Sequence, residues 1–156
     1  MKRPYRSCAA LALFALAAAV ELPAHAGSHV YPGNDPKWKA ECGSCHLAFP
    51  AQLLPADSWR RMLSGLDRHF GVDASVDPAE IKHIARYLEA NAATGKMAET
   101  PPPAQITGAA WFRREHRKVP AADWKSGTVK SAANCAACHT GAEQGDFSER
   151  QIKFWR

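Results

Sequence analysis

Two short stretches of this chain hold the residues that could do chemistry: Cys42-Gly43-Ser44-Cys45-His46 and Cys135-Ala136-Ala137-Cys138-His139. Cys-x-x-Cys-His is the attachment sequence for c-type haem. Two thiols about one helical turn apart can each form a thioether to the two vinyl groups on one edge of a porphyrin. The adjacent histidine then falls beneath the iron as its proximal ligand. The small residues between the cysteines let the backbone approach the macrocycle edge. Three other uses of cysteine pairs fit worse. A zinc site built from both pairs would leave 89 residues between Cys45 and Cys135, against roughly 15–20 in the usual ribbon. A thioredoxin-like pair needs a βαβ setting, and none is visible. Disulfides within each pair would close tiny loops and stabilise little, because the gain grows with loop length.

The other axial ligand of each iron separates electron transfer from ligand chemistry. Beyond residues 1–26, the uncommitted histidines are His29, His69, His83 and His116, and the methionines are Met62 and Met97. His69 continues the apolar face Trp59, Met62, Leu63, Leu66, Phe70 of a helix expected to start at a Ser58 cap and end at Gly71. It is the candidate opposite His46. His83 projects roughly 150° from the centre of the Ile81, Ile84, Ala85, Leu88 face at ~100° per residue, which predicts a solvated side chain. The second half of the chain has no methionine and one spare histidine, His116, four residues after Phe112. It is the candidate opposite His139. Met62, Met97, His83 and His29 stay open as alternatives.

The elements that position these residues are expected to be helical. Asn34 or Asp35 caps a helix with Pro36 close to its first position, running through Trp38 into the first motif. Asp77-Pro78-Ala79-Glu80 opens another with the features of a capping box. Ala109 to Arg117 reads as a short helix, and the second motif is expected on a further one. Valine-rich alternating runs are absent, so the fold class is mainly α. Lys2, Arg3 and Arg6, the apolar run Cys8 to Val20 and Pro23-Ala24-His25-Ala26 mark residues 1–26 as a secretory signal peptide, which implies the periplasm. The break Gly95 to Gly108, with Pro101-Pro102-Pro103, divides the rest into haem domains at 27–100 and 101–156. Each is too small for apolar burial alone, so the haems must form much of the core.

The full chain carries a net charge of +5; without residues 1–26, 17 basic and 14 acidic residues remain. That balance is too mild to argue for nucleic acid or an anionic membrane surface. No second apolar run of membrane length follows. The run Arg113-Arg114-Glu115-His116-Arg117-Lys118 reads either as a wet face or as a docking patch for an acidic redox partner.

Together these stretches resemble the dihaem cytochrome c family of bacterial periplasms. The resemblance rests on Glu41 to His46, Leu53-Leu54-Pro55 with Ser58-Trp59, His69-Phe70-Gly71 and Ile84 to Asn91. It continues through Trp111-Phe112, Arg114-Glu115-His116, Asn134 to His139 and Gly145-Asp146-Phe147, so it covers about Lys37 to Phe147. It implies an N-terminal domain like class I cytochrome c and a less regular C-terminal haem domain. It also implies two haem c groups, with bis-histidine low-spin irons pairing His46 with His69 and His116 with His139. The implied role is an electron carrier, not an enzyme, associated with an oxygen-binding high-spin monohaem cytochrome c and with membrane b-type cytochromes. The alternative reading is a haem enzyme or small-molecule sensor with one open iron.

Overall fold

The computed structural model describes residues 29–99 and 102–153, and the expected signal segment lies outside them. Among the described residues five short α-helices and seven 3₁₀ turns carry the chain, and no strand forms. This is the mainly α architecture that the sequence predicts.

Helix α1 (Pro36–Cys42) starts where Asp35 accepts the Trp38 N–H at 2.8 Å and Pro36 occupies the first turn, where no N–H is needed. It stops at Gly43, where a Cβ would lie 2.4 Å from the Lys39 carbonyl oxygen. A glycine is what lets the chain leave the helix here and turn towards Cys45. Helix α3 (Pro78–Ala90) is capped by Asp77, which accepts the Ala79 N–H at 2.8 Å. The capping box does not close, because Glu80 pairs with Lys37 across the helix interface at 2.6 Å.

Helix α2 (Ala56–Leu63) departs from expectation at both ends. Ser58 is no cap. It sits buried within the first turn and its hydroxyl donates to the Pro103 carbonyl at 2.6 Å, holding the linker against the helix. Nor does the helix reach Gly71. The Ser64 hydroxyl donates to the Arg61 carbonyl at 2.9 Å, competing with the helical ladder, and Gly65 adds the entropic penalty of glycine in a helix. The chain continues as a 3₁₀ turn, Leu66–Arg68, and Phe70 takes a left-handed φ of 49° and stands exposed instead of facing the core.

The second half holds α4 (Ala110–Glu115) and α5 (Ala121–Trp124). Its haem motif lies on a 3₁₀ turn, Cys135–Ala137, not on the expected α-helix. Packing joins the halves. The buried cluster of Trp38, Leu54, Trp59, Ile84 and Leu88 runs on into Ile106, Trp111 and Phe112. Trp59 satisfies its buried ring N–H on the Ala51 carbonyl at 2.8 Å. The start of the described chain crosses to its far end: Tyr31 N–H donates to Gly145 O and Phe147 N–H to His29 O, both at 2.8 Å. Gly145 has φ +77°, and a Cβ there would come within 2.4 Å of Tyr31 O. No helix among the described residues is long and apolar enough to cross a membrane.

Candidate functional site

Histidines from separate segments meet in two pairs. His46, just beyond α1, and His69, after the 3₁₀ turn that follows α2, have ring centroids 6.1 Å apart and planes inclined by 28°. His116, the C-cap of α4, and His139, beyond the second motif, have centroids 6.1 Å apart and planes inclined by 77°. The same centroid spacing recurs in both pairs. It matches two imidazoles sharing one metal, since a bond of about 2 Å from each nitrogen plus about 1 Å to each ring centre gives roughly 6 Å.

Tautomers are fixed on the outer side. His46 Nδ1 lies 2.7 Å from the Leu47 carbonyl and His116 Nδ1 lies 2.9 Å from the Phe112 carbonyl. A carbonyl can only accept, so both Nδ1 atoms carry the proton and Nε2 keeps its lone pair for a metal. Burial, and then the neighbouring His46, push the His69 pKa below the ordinary imidazole value. Burial, reinforced by His116 and opposed by Asp146, does the same for His139. Both shifts favour the neutral ring, the form that ligates.

The dihaem cytochrome c family matches residues 38–147. The chain belongs to that family. It is similar to a diheme cytochrome c from Rhodobacter sphaeroides, with 42% identity and a TM-score of 0.68 over 75% of this chain and 99% of that one. It is also similar to a diheme cytochrome of type c from Shewanella baltica OS155, with 40% identity and a TM-score of 0.68 over 76% and 90% of the two chains. No curated protein matches. As a member of the family, this cytochrome carries two covalently bound haem c groups with their irons.

The residues present fit such groups. A cavity of about 750 Å³ is lined by Cys45, His46 and His69 on one side and by Phe112, Cys135 and Ala136 on the other. It lies within the usual range for cofactor pockets. The first histidine pair thus borders this space, which reaches the second motif at Cys135 and Ala136. None of the four motif cysteines is paired in a disulfide, so each is available for a thioether. Burial, with Glu41, pushes Cys42 up to about 11, and burial pushes Cys135 to about 11. No cluster of three or more histidine, cysteine or carboxylate ligands occurs among the described residues.

The other candidates lie elsewhere. His83, expected in water, is half-buried, and its Nε2 donates to Asp35 at 2.6 Å, tying α3 to the cap of α1. Helical geometry pointed it away from its own apolar face, but α1 supplies a carboxylate there. Met97 Sδ stands 3.9 Å from the Tyr31 hydroxyl, and Met62 packs on the core. His29 Nδ1 lies 3.3 Å from the same hydroxyl.

Several supporting contacts were not read from the sequence. Phe49 stacks on His46 with centroids 4.9 Å apart, and Phe112 stacks on His116 at 4.1 Å. The three- and four-residue spacings to the histidines were their available signal. Phe147 lies 5.4 Å from His139. Glu99 accepts the Trp111 N–H at 2.9 Å and caps a helix whose own preceding residue, Ala109, cannot. No pattern in the sequence indicates that partnership.

Proposed function

We propose that this cytochrome is a periplasmic electron relay that catalyses no reaction itself. In this reading Cys42 and Cys45 hold one haem and Cys135 and Cys138 the other. His46 and His69 ligate the first iron, His139 and His116 the second. The observation that carries the proposal is the pair of 6.1 Å imidazole separations, each of which would let two histidines hold one iron.

A haem c iron supplies a one-electron couple whose potential is set by its ligands and burial. The protein does the rest by holding still. Held by both histidines of a pair, an iron would have no coordination position left for a substrate. Carbonyl bonds at Leu47 and Phe112 fix ring orientation, and stacked Phe49 and Phe112 limit reorientation as the charge on the metal changes. The first reading of partners, an oxygen-binding high-spin monohaem cytochrome c or a membrane b-type cytochrome, follows from kinship and fits a relay. Export through residues 1–26 provides the compartment where such haems are attached.

Two measurements test the proposal. Denaturing mass spectrometry of the exported protein should give the chain from about residue 27 plus two haem masses, and Cys135→Ala/Cys138→Ala should remove one. Stopped-flow mixing of the reduced protein with oxidised candidate haem proteins should show fast, salt-sensitive transfer. Substantial turnover of peroxide by the intact six-coordinate protein would instead make it an enzyme.

A further inference from the structure

We infer that α4 and the turn after it form the docking face of this cytochrome, and that its partner is a redox protein with an acidic surface. The inference rests on the electron-relay reading and adds to it which lobe meets the partner and with what charge.

The charges of the two halves differ in sign. Residues 29–99 hold eight basic side chains and nine carboxylates, whereas residues 102–153 hold eight and five. In the first half three of the eight cations are met by carboxylates: Lys37 by Glu80, Arg60 by Asp57 and Glu89, Arg68 by Asp67. Around His116 four cations stand within six residues. Arg113, Arg114, Arg117 and Lys118 are all exposed, and among the described residues only Arg114 forms an ion pair, with Glu115 at 3.1 Å. Arg113 donates to the Gly108 carbonyl and Arg117 to the Arg114 carbonyl at 2.9 Å, neutral acceptors that cancel no charge. Glu99 lies near Arg113 and Arg114, but its carboxylate is engaged by the N–H groups of Ala110 and Trp111. The uncompensated positive charge thus sits on both sides of His116, a residue of the second histidine pair. An acidic partner steered there arrives beside a redox centre, which is where a transient complex needs it.

Reduced flavodoxin, a small acidic flavoprotein, serves as the probe. One electron leaves its reduced flavin and reduces one ferric haem. Arg117→Glu/Lys118→Glu is compared with Lys82→Glu/Arg86→Glu on the exposed side of α3, which makes the same change in net charge. At low salt the first variant should react about tenfold more slowly, within the range of electrostatic steering. The second should react at nearly the wild-type rate, and high salt should erase the difference. Arg117→Gln/Lys118→Gln should give an intermediate loss, which keeps the test sound if charge reversal disturbs folding.

Equal slowing by both reversals, or none by either, overturns the inference. So does wild-type binding to phosphatidylglycerol vesicles that is lost in Arg117→Glu/Lys118→Glu, which would assign the face to a membrane. Photoreduced deazariboflavin, a neutral reductant, should reduce all variants alike. Failure of that reagent to reduce the wild type would refute the relay reading itself, separately from the docking face.

Discussion

Replacing His69 by alanine is the sharpest test of the first histidine pair. The 6.1 Å centroid separation leaves room for one metal ion with a bond of about 2 Å to each ring nitrogen. Removing one ring leaves no second nitrogen at that distance. The neighbouring side chains on that side of the cavity, Phe70 and Val72, are apolar, and Met97 is engaged at Tyr31. One iron of the two should lose its sixth protein ligand. Half of the low-spin signal should therefore convert to high spin, and the reduced protein should bind one equivalent of carbon monoxide. Electron paramagnetic resonance of the oxidised protein measures the fraction, and added imidazole should reverse the change. His83→Ala provides the contrast. It breaks a part-exposed pair with Asp35, so it should lower stability by about 0.5–1 kcal/mol while both irons remain low-spin. High-spin iron in His83→Ala, or a fully low-spin spectrum in His69→Ala, would refute the geometric argument.

Glu99→Gln should weaken the cap on α4 by about 1 kcal/mol, seen as a lower denaturant midpoint. Because His116 terminates that helix, high-spin signal should appear at the second haem well before global unfolding. Acid should act through the same caps. Asp35 is held below its ordinary pKa first by the Trp38 N–H, and Glu99 by the N–H groups of Ala110 and Trp111. A carboxylate depressed in the folded state contributes stability that is present above its unfolded pKa and is lost as pH falls through the folded value. The urea midpoint should therefore fall below about pH 4, and less steeply in Asp35→Asn/Glu99→Gln; an identical slope in that variant would remove the caps as the cause.

The parts of this fold that were legible in the sequence are those whose cause is local. A Cys-x-x-Cys-His segment has the same spacing whatever surrounds it, and Asp35-Pro36 and Asp77-Pro78 carry their helix starts within two residues. What was not legible depends on groups far apart in the chain. Ser58 looks like a cap until the linker brings Pro103 O within its reach. His83 looks solvated until α1 brings Asp35 to it. Glu99 reaches Trp111 across the proline-rich linker, and the bridge between Val30 and Asp146 spans nearly the whole described chain.

His69 shows how a placement beside His46 can follow from an incomplete reason. Periodicity set it on the apolar face of one continuous helix, yet α2 ends at Leu63 and His69 lies in extended backbone, with φ −63° and ψ 94°, after a 3₁₀ turn. An uninterrupted helix would fix its ring by rotation about a single axis. The break at Ser64-Gly65 instead lets the segment fold back, with Ala74 N–H donating to Leu66 O at 2.8 Å and Val72 N–H to His69 O at 3.1 Å. The ring is thus held by a closed turn whose two ends are pinned. That arrangement suits a ligand that must keep its orientation through repeated changes of charge at the metal. The left-handed Phe70 at the tip is its conformational consequence: two residues must reverse the chain between His69 and Val72, and Phe70 and Gly71 both do so at positive φ. Gly71 does this without strain, whereas Phe70 holds an unfavourable conformation that the surrounding hydrogen bonds enforce.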